Sequence, residues 1–271
     1  MLRIHPRSRD FTWASNSSGA KNPLIVSKEQ STKFDQDGYF VIDQLLDTEQ
    51  VAAITLETDQ GYEEAHAFLR DLPDERLFIA EKGAISFAPH LARSSQILLE
   101  HVLTSAIAGL AHDLLGTDAR LYHDQAVYKE TEKPRRFPWH QDNGYAFVSP
   151  ESYLTVWIAL TDATIESGCP WVAPGMHRTG TMIHDYVDPL GWEVFESPPV
   201  EPVAAPVPAG GAVVFSSLTP HLTGPNVSSR TRKAYIVQYV GSAAVRYENS
   251  SDQIGTPLND DFLYPMIRVN K

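Results

Sequence analysis

The chain has 271 residues, 42% of them hydrophobic, and a net charge of −12. That length suits one large domain or two small ones with a sizeable core. The acidic balance argues against nucleic-acid binding and against an anionic membrane surface, both of which select a basic footprint. The single cysteine, Cys169, rules out an intrachain disulfide, and no apolar run has the length of a signal peptide or a membrane span. A cytoplasmic protein, monomeric or homodimeric, is the expectation.

Residues 1–24 are polar and aperiodic and suggest a mobile or surface-hugging arm ahead of a single domain over 25–271. Ser27 with Gln30 fits a capping box, in which each side chain satisfies an orphan backbone N–H, and Gly38 should stop the helix it opens. YFVIDQLL follows as a strand. Asp47 with Gln50 repeats the capping box and opens a second helix, predicted to break or weaken at Gly61. Residues 94–115 carry apolar residues at helical spacing and predict one helix ending at Gly116.

After Gly116 the texture changes to short β-rich runs punctuated by Pro and Gly: ARLYHDQAVYKE, YLTVWIALTD, PWVAPG, GAVVFSS and KAYIVQYVG. There is no βαβ alternation, so a doubly wound sheet is excluded as the expectation. Helices to about residue 116, then strands over about 117–245, predict helices packed on an antiparallel sandwich or barrel. Residues 197–211 form a proline-rich connection.

The stretch FPWHQDNGY sets His140 and Asp142 two residues apart. In an extended backbone, i and i+2 point to one face, so both can reach one metal ion. A third ligand is needed, and of the ten histidines His221 has the most telling surroundings, between a β-rich run and a loop that leads into another strand. Two imidazoles and one carboxylate form a facial triad that suits non-haem Fe(II) and leaves positions open for O2 and a co-substrate. Arg232 follows His221 by eleven residues. Its guanidinium is the natural fork for the far carboxylate of 2-oxoglutarate.

With KFDQDGYFVIDQLLDTEQV, DQAVYKE, PWHQDNGY, YLTVWIALTDATIESGCPWVAPGMH and PAGGAVVFSSLTPHLTGPNVSSRTRKAYIVQY in that order, the chain resembles the phytanoyl-CoA dioxygenase family of Fe(II)/2-oxoglutarate-dependent oxygenases. The resemblance spans most of residues 33–240. It implies a double-stranded β-helix, a cupin-like jelly roll, mainly β with helices against one sheet. By the same resemblance His140, Asp142 and His221 match the iron ligands and Arg232 the 2-oxoglutarate anchor. Thr223 matches an assisting hydroxyl position, and Gln125 and Trp157 fall on strands lining the co-substrate pocket. The implied reaction consumes O2 and 2-oxoglutarate, releases succinate and CO2, and hydroxylates a C–H bond of a small organic molecule. Desaturation, cyclisation or epimerisation would share that chemistry, and a metal-binding jelly roll without turnover is the alternative of another class. Aspartate at 142, where related halogenases lack the carboxylate, implies oxygenation. The chain departs from the family's usual Pro-Gly-Ser-His in having Met176 before His177. That methionine suits core filling or a substrate contact.

Other residues carry weaker signals. His177 and His123 suit packed histidines better than ligands. His184 and Tyr186 lie in a stretch that in the family often covers the site, and a solvated loop is equally consistent. Cys169 fits a small buried residue. The basic run Lys133–Phe137 suits a solvated loop or a phosphate or carboxylate contact. Tyr145, Phe147, Tyr153, Trp171, Trp192 and Phe195 divide between core and an apolar pocket.

Overall fold

The computed structural model describes residues 2–14, 22–116, 118–131, 137–249 and 252–269. Ser27 caps helix α1 (Lys28–Asp37), its hydroxyl accepting the Gln30 N–H while the Gln30 side chain accepts the Ser27 N–H. The helix ends at Gly38, whose φ of 82° is open to glycine. A side chain there would also strike His177 and Thr219. Strand β1 (Tyr39–Ile42) follows, and Asp47 with Gln50 repeats the capping box at the start of α2 (Thr48–Arg70).

Two helical expectations need correction. α2 runs unbroken through Gly61. Glycine costs a helix only about 1 kcal/mol, and here its bareness is required, because a Cβ would stand 2.5 Å from Leu91 Cδ2. The segment 94–115 is two helices, α3 (Gln96–Thr104) and α4 (Ala106–Leu115), bent by 42°. Ser105 makes the break. Its backbone is extended, its N–H closes α3 on the His101 carbonyl, and its hydroxyl accepts the Ile107 N–H to open α4. Among the described residues no single helix is long and apolar enough to cross a membrane, and the bent pair α3–α4 is packed into the core.

The strands are β2 (Arg76–Leu77), β3 (Ala80–Glu81), β4 (Ile85–Pro89), β5 (Arg120–Lys129), β6 (Phe147–Ser149), β7 (Leu154–Ala159), β8 (Pro170–Val172) and β9 (Asp185–Val187). They continue as β10 (Gly191–Glu193), β11 (Val203–Ala204), β12 (Ala212–Ser216), β13 (His221–Thr223), β14 (Arg232–Val240), β15 (Val245–Tyr247) and β16 (Thr256–Pro257). Eight form one sheet in the order β1-β12-β7-β14-β5-β4-β3-β2, with every pairing antiparallel. Smaller sheets, β11-β8-β13, β9-β10 and β6-β15-β16, complete a jelly roll.

Both faces of the large sheet are buried, which explains why every residue of β7 and β12 is buried and all but Thr155 and Ser216 are apolar. Leu154, Val156, Ile158, Val214, Tyr235 and Val237 point outward and pack with Leu98, Ile107 and Leu110 of the helices. Trp157, Ala159, Val213, Phe215 and Ala234 point inward and meet Val172 of β8, with Cys169 buried among them. Of the N-terminal arm, residues 2–14 lie against the body: Ile4 bridges Met182, and the His5 N–H donates to the Thr181 carbonyl at 2.8 Å. Lys133 to Arg136 fall outside the described residues.

One carboxylate ties the arm's exit to the helical layer. Asp113, 4% exposed on α4, accepts the N–H groups of Leu24, Ile25 and Val26 at 2.8–2.9 Å and a bond from His112 Nδ1 at 2.7 Å. Asp113→Ala strands those donors and should destabilise the fold by about 3 kcal/mol. Urea denaturation checks it, and a loss below about 1 kcal/mol would mean that water replaces the carboxylate there.

Candidate metal centre

His140, Asp142 and His221 come together from two backbone segments that grip each other. The His140 N–H donates to the His221 carbonyl at 3.0 Å and the His221 N–H returns to the His140 carbonyl at 2.9 Å. Gln141 between the first two ligands is extended (φ −105°, ψ 142°), so His140 and Asp142 share a face as the spacing predicts. One ligand atom from each of the three residues lies within 4.8 Å of the others. Asp142 Oδ1 is 3.7 Å from His221 Nε2, and the two imidazole centroids are 4.2 Å apart.

Hydrogen bonds fix which atoms face that point. His140 Nδ1 donates to the Pro138 carbonyl at 3.0 Å and His221 Nδ1 donates to the Thr219 carbonyl at 3.0 Å. A carbonyl only accepts, so each Nδ1 carries a proton and Nε2 is the ring nitrogen left to face the metal point. Burial, and then the neighbouring His221, hold the His140 pKa well below its ordinary value. The neutral form is the ligating form. The Thr155 hydroxyl donates to Asp142 Oδ2 at 2.5 Å, and the Gln238 amide, opposite Thr155 in the β7–β14 register, donates to that hydroxyl at 3.4 Å. Two imidazoles turned Nε2-first and one oriented carboxylate fit a divalent transition metal with open positions.

Gln141 sets the scaffold. It is fully buried and points away from the ligands. Its amide nitrogen donates to the carbonyls of Gly180 (3.0 Å) and Leu218 (2.6 Å), and its oxygen accepts the Met182 N–H at 2.7 Å. Its backbone N–H donates to His184 Nε2 at 2.8 Å, while His184 Nδ1 donates to the Met182 carbonyl. His184 is therefore buried beneath the metal loop and does not cover the site. Sequence reasoning missed Gln141, Thr155 and Gln238; the one available signal was a polar residue forced inward by alternation between two ligands.

A cavity of about 1240 Å³ opens over the three ligands. Gln125, Trp157 and Thr223 line it. Gln125, Ile236 and Trp157 form one inward rung, since Ile236 pairs with Gln125 on one side and Trp157 on the other. Arg232 shares the inward face of β14 with Ile236 and Gln238 and is 1% exposed, its guanidinium carbon 5.1 Å from the Trp157 ring centre. A buried guanidinium beside a cavity-lining tryptophan fits a carboxylate ligand. His177 is buried elsewhere, edge-on to Trp13. Met176 fills a cluster with Trp139 and Met182. His123 lies in the cavity wall, edge-on to His90. Tyr145, Tyr153 and Trp192 line the cavity, whereas Phe147, Trp171 and Phe195 pack away from it.

Two predictions arise from this geometry. Gln141→Leu should weaken divalent-metal binding about tenfold to a hundredfold while leaving the three ligands in place; unchanged affinity by metal titration would remove Gln141 from the scaffold. The second concerns pH. Burial lowers the pKa of His123, His177 and His184 to about 4. The unfolded chain then binds more protons below about pH 6.5, so the neutral rings contribute fully above that pH and stability is lost as pH falls towards 4. Urea midpoints of metal-free protein should drop across that window, and a flat profile would contradict neutral burial.

The model of the phytanoyl-CoA dioxygenase family matches residues 34–234. The chain is 31% identical to a phytanoyl-CoA dioxygenase of Arabidopsis thaliana over 113 residues, 40% of each chain. It is 29% identical to a methylphosphonate hydroxylase of Gimesia maris over 230 residues, 79% of this chain and 80% of that one. Its fold is similar to the crystal structure of SnoK, a non-heme alpha-ketoglutarate-dependent carbocyclase from nogalamycin biosynthesis, with a TM-score of 0.74 and 26% identity over 91% of this chain and 100% of that one. A matched span of this length, enclosing all three candidate ligands and the buried arginine, means that the chain belongs to the phytanoyl-CoA dioxygenase family.

Proposed function

We propose that the chain is a mononuclear Fe(II)- and 2-oxoglutarate-dependent oxygenase that hydroxylates an unactivated C–H bond of a small organic molecule. The observation that carries this reading is the convergence of His140, Asp142 and His221 on one point of a cavity also lined by Trp157, with Arg232 buried against that tryptophan. Residues 25–271 act as one catalytic domain, helical to about 116 with its jelly-roll core over about 117–245, in a cytoplasmic monomer or homodimer.

When bound, iron(II) with 2-oxoglutarate and O2 supplies an oxidant able to break such a bond, with release of succinate and CO2. The chain does the rest. His140 and His221 present Nε2 lone pairs because their Nδ1 protons are committed to backbone carbonyls. Asp142 lowers the charge of the site, and Thr155 holds its second oxygen. Arg232 grips the distal carboxylate of 2-oxoglutarate, with Trp157 beneath the guanidinium and Thr223 and Gln125 along the wall. Tyr153 and Phe215, both buried cavity residues, exclude water. No side chain needs to act as acid or base in the C–H step. The likeness to SnoK supports a second outcome of the same chemistry, ring closure on a natural product.

Anaerobic addition of 2-oxoglutarate to Fe(II)-loaded protein should raise a weak visible charge-transfer band. With iron bound and no band, this reading is lost. Ala at His140, Asp142 or His221 should abolish 2-oxoglutarate-dependent succinate formation, and full turnover in any one of them would displace that ligand. Arg232→Ala should raise the 2-oxoglutarate requirement at least about thirtyfold, equivalent to about 2 kcal/mol of lost anchoring. An unchanged requirement would move the anchor elsewhere.

A further inference from the structure

The cavity divides into two chemically different parts, neither assigned by the metal centre. The mouth is aromatic. Phe78, in the turn between β2 and β3, meets Tyr186 of the β9–β10 hairpin with ring centroids 6.4 Å apart, and Tyr186 meets Trp192 at 5.6 Å. All three line the cavity, yet Phe78 is 60%, Tyr186 44% and Trp192 45% exposed. Large aromatic faces left in water around one opening mark a site for an apolar body. The cavity volume also exceeds the range of about 300–1000 Å³ common for small-molecule sites.

The wall beyond Tyr122 is basic. Arg93, His90, His123 and Arg246 all line it. Among the described residues only two acidic side chains line the cavity, Asp142 among the metal ligands and Glu64, which is exposed on α2. Arg93 has no carboxylate within ion-pairing distance among the described residues, and Arg246 meets only Glu248, at 3.1 Å. In a chain of net charge −12, two arginines on one cavity wall are a local reversal of sign. Their field is felt next door: after burial, the charges of Arg93 and Arg246 help to lower the pKa of His90, and with His90 that of His123. The imidazoles are thus neutral hydrogen-bonding groups and the arginines carry the charge. Tyr122 and Tyr153, edge to face at 5.6 Å, line the same cavity as Arg246 and Asp142.

We propose that the substrate is an amphipathic organic anion: an apolar, ring-sized body seated among Phe78, Tyr186 and Trp192, with a carboxylate, sulfonate or phosphate held by Arg93 and Arg246. This rests on the proposed oxygenase reading for the meaning of "substrate", but the binding wall can be tested apart from it.

The probe pair is 8-anilinonaphthalene-1-sulfonate and the neutral N-phenyl-1-naphthylamine, which share an aromatic body and differ in the anion. Both are titrated by fluorescence into anaerobic Fe(II)- and 2-oxoglutarate-loaded protein. Wild type should bind the sulfonate at one site, at least tenfold more tightly than the neutral dye. Arg93→Gln with Arg246→Gln should erase that preference and leave the neutral dye within twofold of wild type. Should the double variant misfold, Arg93→Gln alone, at an exposed side chain, should remove at least threefold of the preference. Equal affinity for the two dyes in wild type, equal loss of both in the variants, or no dye binding would each overturn the proposal. The charge-transfer band recorded in the same samples reports the oxygenase reading separately. A band without dye selectivity sinks only the substrate class, and selectivity without a band sinks only the oxygenase.

Discussion

The site depends on one buried amide. Gln141 occupies the position between two ligands, and in an extended backbone that position faces away from them. Its side chain is bonded to Gly180, Leu218 and Met182, and its backbone to His184. Leu218 belongs to the turn that leads into His221, and 180–184 is the segment packed under the metal loop. A single residue therefore ties the His140–Asp142 loop to the approach of the third ligand. Leaving such an amide unsatisfied inside the protein would cost about 1–3 kcal/mol per group, so its three partners reinforce one another and the face presented to the metal is fixed.

The large sheet supplies the other constraint. With helices on one side and the smaller sheets on the other, alternate residues of β7, β12 and β14 serve two cores. The inward set is what the site draws on. Successive rungs carry His123, Gln238 and Thr155, then Gln125, Ile236 and Trp157, then Val127, Ala234 and Ala159, with Lys129 opposite Arg232 at the end. The carboxylate's partner and the buried guanidinium are thus held on the same rigid strands, β7 and β14, at opposite ends of one face. Lys129, 2% exposed, donates to the Gly224 carbonyl at 2.7 Å and so fastens β5 to the end of β13, the strand that begins at His221.

Much of this was legible in the sequence where the cause was local. The two capping boxes, the Gly38 stop and the five main strands follow from short-range spacing, and the i, i+2 pair with a later histidine and arginine pointed to the metal centre. The errors arose where distant contacts decide. Gly61 looked like a helix breaker because Leu91, which requires it, is thirty positions away. Ser105 was hidden because apolar periodicity runs the same on both sides of it, and one serine hydroxyl redirects the chain. Gln141 and Thr155 are ordinary polar residues in the sequence; their roles exist only once Gly180, Leu218 and Asp142 are brought beside them. His184 looked like part of a cover because nothing local says that its ring accepts a backbone N–H beneath the loop.

The charge distribution follows the same logic. A net charge of −12 describes the surface, whereas the interior sorts its charges by function. Among the described residues Asp142 is the only acidic group that lines the cavity away from exposed Glu64. Both metal-facing imidazoles commit Nδ1 to a backbone carbonyl and turn Nε2 towards the carboxylate's side of the site. Cations stand at two separate places, Arg232 buried beside Trp157 and Arg93 with Arg246 in the cavity lining. In a medium of low dielectric such separation matters, because a cation adjacent to Asp142 would compete with the metal for its carboxylate. Among the described residues no lysine or arginine pairs with the Asp142 carboxylate, whose near partners are Thr155 and His221.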